Sequence, residues 1–318
     1  MMNILKNLYK EHKMKPHIRN FQYYLKSYNK KITIIGHDNI DVDAFLSGIL
    51  LSNFLTFLRV ENEFLILEEV KENETYHIIK DLFNIDMKDY MCKEEDDQRL
   101  LFLEDHYKTS HKGKVIHCID HHPSVEEINY GYYITFSCST SYLIYKHMMD
   151  AGYKISRQEA KMILVSMMID TVSFRSAKTI QEQALVAKKI AEEHKLNYEG
   201  IEKYCLCLTP IEKMSDDEII NNGYKYYNYN GNKVKSSYIQ VDEMPPWGKV
   251  NSWTLNIEKK IEEESLEMWV FVIIDCKNNE THEYRLPRSH PNSREIKHKG
   301  ILSRGTNIMP RIEKMFSK

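Results

Sequence analysis

Acidic and histidine residues gather in four short runs of this chain. They are Gly36-His37-Asp38-Asn39-Ile40-Asp41-Val42-Asp43, Leu103-Glu104-Asp105-His106, Ile119-Asp120-His121-His122-Pro123 and Met168-Ile169-Asp170-Thr171. Carboxylates and imidazoles are the ligands that hold Mn, Zn or Fe, and one carboxylate can bridge two ions. Two ions about 3.5–4 Å apart generate a hydroxide nucleophile and clamp both ends of a phosphoryl displacement. Any one of these residues alone reads as an ordinary loop residue. His-x-x-x-Asp-x-Asp, answered by Asp120-His121-His122 further on, reads as a centre for two divalent metals.

The elements needed to position these groups are legible around them. Lys31-Ile32-Thr33-Ile34-Ile35-Gly36 reads as a buried strand ending at His37, followed by a helix from Ala44 to Phe57. Leu100 to Leu103 and Val115 to Ile119 are further short apolar runs, each stopping at an acidic motif. Strands alternating with helices imply a parallel sheet, and in such sheets ligands gather beyond the carboxyl ends of the strands. Helices are expected at 139–150 and 157–169, the second delivering Asp170, and near 180–195. Asn197 to Gly200 reads as the start of a hinge. Beyond about residue 205 the texture changes to hairpins: Tyr226 to Val241 turning at Asn230-Gly231, and Glu267 to Leu286 turning at Asn278-Asn279. A helix near 251–264 separates them. The fold class is therefore α/β, a parallel-sheet N-terminal domain with a smaller α+β C-terminal domain and the active site expected in the cleft between them. Residues 1–30 read as a basic extension, 31–195 as the metal-binding catalytic domain and 205–318 as the substrate-binding domain.

Length and composition agree with two domains. The chain has 318 residues, 42% hydrophobic and 28% charged, with a formal net charge of −2. That charge offers no overall field for nucleic acid, so anion binding must rely on local basic clusters. The six cysteines include no CxxC pair, and Cys205-x-Cys207 reads as packing. No apolar stretch approaches a membrane span or a signal peptide, so a cytoplasmic enzyme with reduced thiols is expected. Lys6, Lys10, Lys13, Lys15, Arg19, Lys26, Lys30 and Lys31 make the N-terminus basic. It reads as a solvated helical lead-in packing through Phe21, Tyr24 and Leu25.

The four motifs resemble those of the DHH phosphoesterase superfamily, most closely the manganese-dependent family II inorganic pyrophosphatases and their exopolyphosphatase relatives. Ser137-Cys138-Ser139-Thr140 is similar to that group's Ser/Thr-rich stretch, and Leu302-Ser303-Arg304 to Pro310 resembles its closing signature. The resemblance implies one metal on His37, Asp41 and Asp105, and a second on Asp43, Asp105, His121 and Asp170, with Asp105 bridging. It implies that the two ions are Mn²⁺, with Co²⁺ or Mg²⁺ as substitutes. His122 would stabilise the leaving phosphate, with Asp105 the other catalytic residue, while Asp120 and His106 orient ligands. Lys225 and Arg304 match the substrate-binding cations, and Arg288 and Arg294 lie in a polar loop that could join them.

The implied reaction is hydrolysis of phosphoanhydride bonds in pyrophosphate or short polyphosphate by a metal-bridged hydroxide. The partner is a small anionic phosphate, with no membrane or nucleic acid, and a homodimer is left open. The alternative is a DHH-type phosphodiesterase acting on short oligonucleotides or cyclic dinucleotides, although the chain lacks the Gly-rich C-terminal stretch of that branch. Two departures stand out: Ile40 where proline is usual, and Gly305 where the family has a lysine after its signature arginine.

Overall fold

The computed structural model describes residues 14–38, 40–92, 94, 96–122, 127–176, 179–206, 209 and 211–316. Lys6, Lys10 and Lys13 of the basic lead-in, Asn39 and Pro123 of the motifs, and Cys207 lie outside the described residues. The chain divides into two compact units. The first comprises Met1–Asp170 and Lys178–Tyr198, the second Thr171–Ala177 and Glu199–Lys318.

In the first unit α1 (Pro16–Lys26) precedes β1 (Ile32–Ile35), α2 (Val42–Phe57), β2 (Asn62–Phe64) and α3 (Glu74–Phe83). Then come β3 (Leu100–Glu104), β4 (Lys114–Asp120), β5 (Gly131–Ile134), α4 (Thr140–Asp150), α5 (Arg157–Thr171) and α6 (Gln181–Glu193). The strands form one sheet in the order β2-β1-β3-β4-β5, and every neighbouring pair is parallel. A parallel sheet is covered on both faces, so its central strands carry apolar side chains on both. β1 and β3 show this: each of their residues is buried. α2 is buried almost all round, with Phe45, Leu50 and Phe54 fully enclosed. Because all five strands run the same way, β1, β3 and β4 end on one sheet edge, and the acidic motifs begin where they end.

The lead-in helix α1 packs on this unit. Pro16 starts it, where a missing amide costs nothing. Ile18, Gln22 and Leu25 are buried, Gln22 donates to the Leu58 carbonyl at 2.6 Å, and the Tyr24 hydroxyl donates to the Ile116 carbonyl at 2.6 Å.

The second unit opens with α7 (Tyr198–Leu206) and α8 (Asp216–Ile220). It continues with β6 (Lys225–Tyr229), β7 (Asn232–Val241), α9 (Trp247–Glu263), β8 (Met268–Asp275), β9 (Glu280–Leu286), β10 (Arg294–Lys299) and α10 (Met309–Phe316). Its sheet has the order β10-β9-β8-β7-β6 and is mixed: β7 and β8 are parallel and the other pairs antiparallel. Strand β8 sorts its side chains with period two. Trp269, Phe271 and Ile273 join Trp253 and Ile257 of α9 in one core, while Met268, Val270, Val272 and Ile274 join Ile312 of α10 in another. The β6–β7 turn is Asn230-Gly231, both left-handed at φ 53° and 88°, as a tight hairpin requires.

Both expected hairpins form, and the helix expected near 251–264 begins earlier, at Trp247. The stretch read as the start of a hinge contains the boundary between the two units, after Tyr198, and is itself helical there: α7 begins at Tyr198 and buries Ile201 and Cys205. Its small amphipathic face outweighs the loop character of Asn197 and Gly200. Among the described residues, no helix is long and apolar enough to cross a membrane.

Two histidines in the first unit's core set an acid limit on its stability. His117 lies between Phe21 and Phe102, with ring centroids 5.1 and 5.0 Å away, and His147 lies 4.7 Å from Tyr133. Burial pulls each imidazole down to about 4; His147 lowers His117 further, and His17 and Lys146 lower His147 against an opposing pull from Asp150. Unfolded, both take up protons near pH 6.5, so the unfolded state binds more protons between about pH 6.5 and 4. Stability should therefore fall across that window, by on the order of 3 kcal/mol per histidine at its foot. Urea unfolding of wild type and His147→Leu at pH 7 and 4.5 checks this: the variant should lose visibly less stability between the two pH values. Equal losses would mean that other groups set the acid limit.

Candidate metal centre

Past β1 the chain turns over the sheet edge to start α2, and Asp41 caps that helix. Its Oδ1 accepts the Ala44 amide at 3.0 Å, while Oδ2 lies 3.3 Å from His37 Nε2. His37 Nδ1 is 2.8 Å from the Asp38 carbonyl; donation there leaves a lone pair on Nε2, which also faces Asp105 Oδ2 at 3.7 Å. Gly36 makes the approach possible, since a Cβ there would stand 2.8 Å from Glu104 Oε1.

Asp43, in the first turn of α2, is 1% exposed. Its carboxylate accepts the Thr140 amide at 2.7 Å, the Ser141 amide at 3.1 Å and the Ser166 hydroxyl. Those amides are the first of α4, whose N-cap Ser139 accepts from Tyr142 at 3.1 Å. The start of a helix offers unpaired N–H groups and the positive end of its dipole, a natural seat for a carboxylate. Thr140 also donates its hydroxyl to Asp105 Oδ1 at 2.8 Å. Asp105 follows the last residue of β3 with φ at 61°, a left-handed turn that costs an L-residue roughly 1–2 kcal/mol. The turn aims its carboxylate across the strand ends.

His121 Nδ1 lies 3.1 Å from the Ser137 carbonyl. Its Nε2 faces Asp170 Oδ2 at 3.1 Å, Asp105 Oδ1 at 3.4 Å and Asp43 Oδ2 at 3.9 Å. Asp170 comes from the last turn of α5, and three residues just beyond it, Val172, Ser173 and Phe174, are left-handed with φ of 50°, 50° and 61°. Besides a grouping of Asp105 with His121 and His122, two donor sets result, each with its ligand atoms within 4.8 Å of one another: His37, Asp41 and Asp105, and Asp43, His121 and Asp170. Asp105 turns one oxygen to each set. The expected ligands are thus gathered in one place.

The electrostatics fit dications. Asp43 and Asp105 are pushed upward from the ordinary carboxylate range, Asp105 strongly, first by burial and then by neighbouring carboxylates. Among the described residues, only imidazoles stand within ion-pair distance of these two. Asp105 Oδ2 is buried without a hydrogen-bond partner. Like charges collected in a dry site demand a counter-charge. Two divalent ions held by oxygen and imidazole donors supply it, and this donor mix suits Mn²⁺, Fe²⁺ or Zn²⁺ better than Mg²⁺.

His122 lies at the rim, its side chain 44% exposed, with Nδ1 3.0 Å from Asp120 Oδ1 and 3.8 Å from Asp105 Oδ1. Asp120, fully buried, also accepts the His122 amide at 2.8 Å. His106 Nδ1 meets the Glu104 carbonyl at 2.9 Å, its ring centroid lies 6.4 Å from that of His37, and its Nε2 is buried without a hydrogen-bond partner among the described residues. Several groups escaped the sequence reading. Ser166 and Thr140 hold ligand carboxylates, and Glu104, fully buried, takes the Ser47 hydroxyl and is itself pushed well above its usual range by burial. Polar side chains inside apolar helices or next to a louder motif carried no signal of their own.

In the second unit the four expected cations do not form one cluster. Lys225 pairs in register with Ser236, and Arg304 Nη1 donates to the Gly223 carbonyl and, at 3.4 Å, to the Ser236 carbonyl, so these two are neighbours. The Arg304 guanidinium also stacks 5.0 Å from the Tyr238 ring centroid. Arg288 is held against α9 by Glu258, Asn251 and Thr254. Arg294 begins β10, at the opposite sheet edge from Lys225.

Residues 31–169, within the first unit, match the DHH family, N-terminal domain. The manganese-dependent inorganic pyrophosphatase of Methanocaldococcus jannaschii is 25% identical over 322 residues, covering 89% of this chain and 99% of that protein. A probable manganese-dependent inorganic pyrophosphatase of Lactobacillus helveticus is 22% identical over 315 residues, covering 90% and 99%. A solved structure described as a family II inorganic pyrophosphatase from Methanococcus jannaschii shares the fold with a TM-score of 0.65. It is 22% identical and covers 91% of this chain and all of that one.

The shared carboxylate yields a prediction with two opposite signs. Asp105→Asn removes one of the crowded buried charges, so the metal-free protein should be no less stable than wild type. The same change removes the anion both donor sets use. At Mn²⁺ a hundredfold above its Kd, wild type should gain about 2.7 kcal/mol of stability. Thermal unfolding of the variant should show most of that gain gone. A full Mn²⁺ stabilisation in Asp105→Asn would rule out the bridging role.

Proposed function

We propose that this protein is a metal-dependent hydrolase of phosphoanhydride bonds, acting on inorganic pyrophosphate or short polyphosphate with two Mn²⁺ ions. The observation that carries the reading is the division of Asp105 between two donor sets, Oδ2 toward His37 and Oδ1 toward His121. The full-length similarity to manganese-dependent inorganic pyrophosphatases supports it. Bound here, the two ions would polarise phosphoryl oxygens and acidify a water molecule.

The chain's own residues supply the rest. His37, Asp41 and Asp105 would hold one ion, and Asp43, Asp105, His121 and Asp170 the other. Asp120 Oδ1 accepts from Nδ1–H of His122, and it is the protonated imidazolium that then presents Nε2–H to the oxygen of the departing phosphate. Lys225 and Arg304 are the cations we assign to phosphate oxygens, because they lie side by side and the bonds to Gly223 and Ser236 engage only Nη1 of Arg304. Arg288, committed to α9, is a weaker candidate, and Arg294 stands apart from both.

Phosphate release with Mn²⁺ from pyrophosphate, tripolyphosphate, long polyphosphate and a dinucleotide tests the reading. Release from the first two is expected, and cleavage of the dinucleotide alone would replace it with the phosphodiesterase alternative. Gly305 refines the test. A Cβ there would meet nothing within 4 Å, so no packing forbids a longer side chain. A cation beside the developing charge of the leaving phosphate contributes several kcal/mol in a water-poor site. Gly305→Lys should therefore raise kcat/KM for pyrophosphate more than for longer polyphosphate, which can spread its charge over other cations. An unchanged ratio would show that position 305 does not select the substrate.

A further inference from the structure

Gln183, on the first turn of α6, makes no hydrogen bond to a candidate ligand carboxylate among the described residues, yet it holds the loop on which one metal-facing imidazole depends. Its Oε1 accepts two hydrogen bonds, from the Cys138 amide at 2.7 Å and the Ser137 hydroxyl at 3.1 Å. The backbone N–H can only donate, which fixes the side-chain amide with oxygen toward the loop. Ser137 is 1% exposed and Cys138 fully buried, and neither belongs to a strand or helix. Without the glutamine oxygen, the Cys138 amide and the Ser137 hydroxyl would each lose this acceptor inside a buried loop.

The segment held this way serves the metal centre twice. The Ser137 carbonyl takes the Nδ1 hydrogen of His121, which selects the tautomer whose Nε2 lone pair faces Asp170, Asp105 and Asp43. Two residues later Ser139 caps α4, whose first amides hold Asp43. We propose that Gln183 is a positioning residue for the second metal position, acting through the Ser137 carbonyl on His121. This rests on the two-ion reading above. Partners that orient a metal-ligating histidine commonly contribute roughly 10–100-fold to metal affinity.

The experiment compares Gln183→Met, which keeps the bulk and removes the acceptor, with Gln183→Glu, which keeps it. Mn²⁺ titration calorimetry of the metal-free proteins is the main readout. Wild type should bind Mn²⁺ in two classes. In Gln183→Met one class should weaken by roughly 10–100-fold while the other stays within about threefold. Gln183→Glu should restore the weakened class. Unchanged Mn²⁺ affinities, equal weakening of both classes, or a Gln183→Glu variant as impaired as Gln183→Met would each overturn the proposal, as would a single binding class in wild type. If two classes bind and respond as expected while no phosphoanhydride is cleaved, the positioning role stands and the reaction assignment falls.

Discussion

Several carboxylates crowded into one dry space form the constraint on which the first unit is built. Asp43, Asp105, Glu104 and Asp120 are almost wholly buried, and Asp170 faces the same imidazole as two of them. Such a set repels itself, and the chain answers with several kinds of partial positive charge. The amides of α4 hold Asp43, hydroxyls from Thr140, Ser166 and Ser47 meet three different acids, and histidines stand between the carboxylates. None of these is a full fixed cation. The site is thereby left short of positive charge, which is the electrostatic condition for taking up metal.

That arrangement depends on topology. Parallel strands end together, so loops after β1, β3 and β4 meet at one edge without long excursions. The order β2-β1-β3-β4-β5 places the reversal of strand order between β1 and β3, where an open parallel sheet leaves a crevice for ligands. His37 follows one of these strands and Asp105 the other. Helix starts then do double duty: Asp41 caps α2 with one oxygen and faces His37 with the other.

Much of this was legible in the sequence because strongly apolar runs and motif residues share boundaries. Ile32 to Ile35 and Leu100 to Leu103 announce buried strands, and their ends announce ligands. Less was legible where identity is decided by distant partners. Strands β2 and β5 lie at the sheet edges and are only three and four residues long, too short for a period to register. Ser166 sits in an apolar helix and gains its role only because α5 passes Asp43. Gln183 resembles any solvent-facing residue of a polar helix until the loop it grips is seen. Glu104 was masked by its neighbour, since a carboxylate beside a motif aspartate looks like part of the motif. The helix at the unit boundary went unread for a related reason: Ile201 and Cys205 bury one face of a short helix that local composition does not advertise.

The path of the chain between the two units has an architectural consequence. It leaves the first unit after Asp170, returns at Lys178 and leaves again after Tyr198. A polypeptide laced in this way is not a pair of beads on a string, and no single cut separates it into two whole modules. Truncation after Tyr198 would strand Thr171–Ala177, including the left-handed run from Val172 to Phe174, without the unit that houses it. That stranded piece is joined directly to Asp170. Swapping the second unit by recombination would thus require three coordinated junctions, after Asp170, Ala177 and Tyr198, the first of them at a candidate metal ligand.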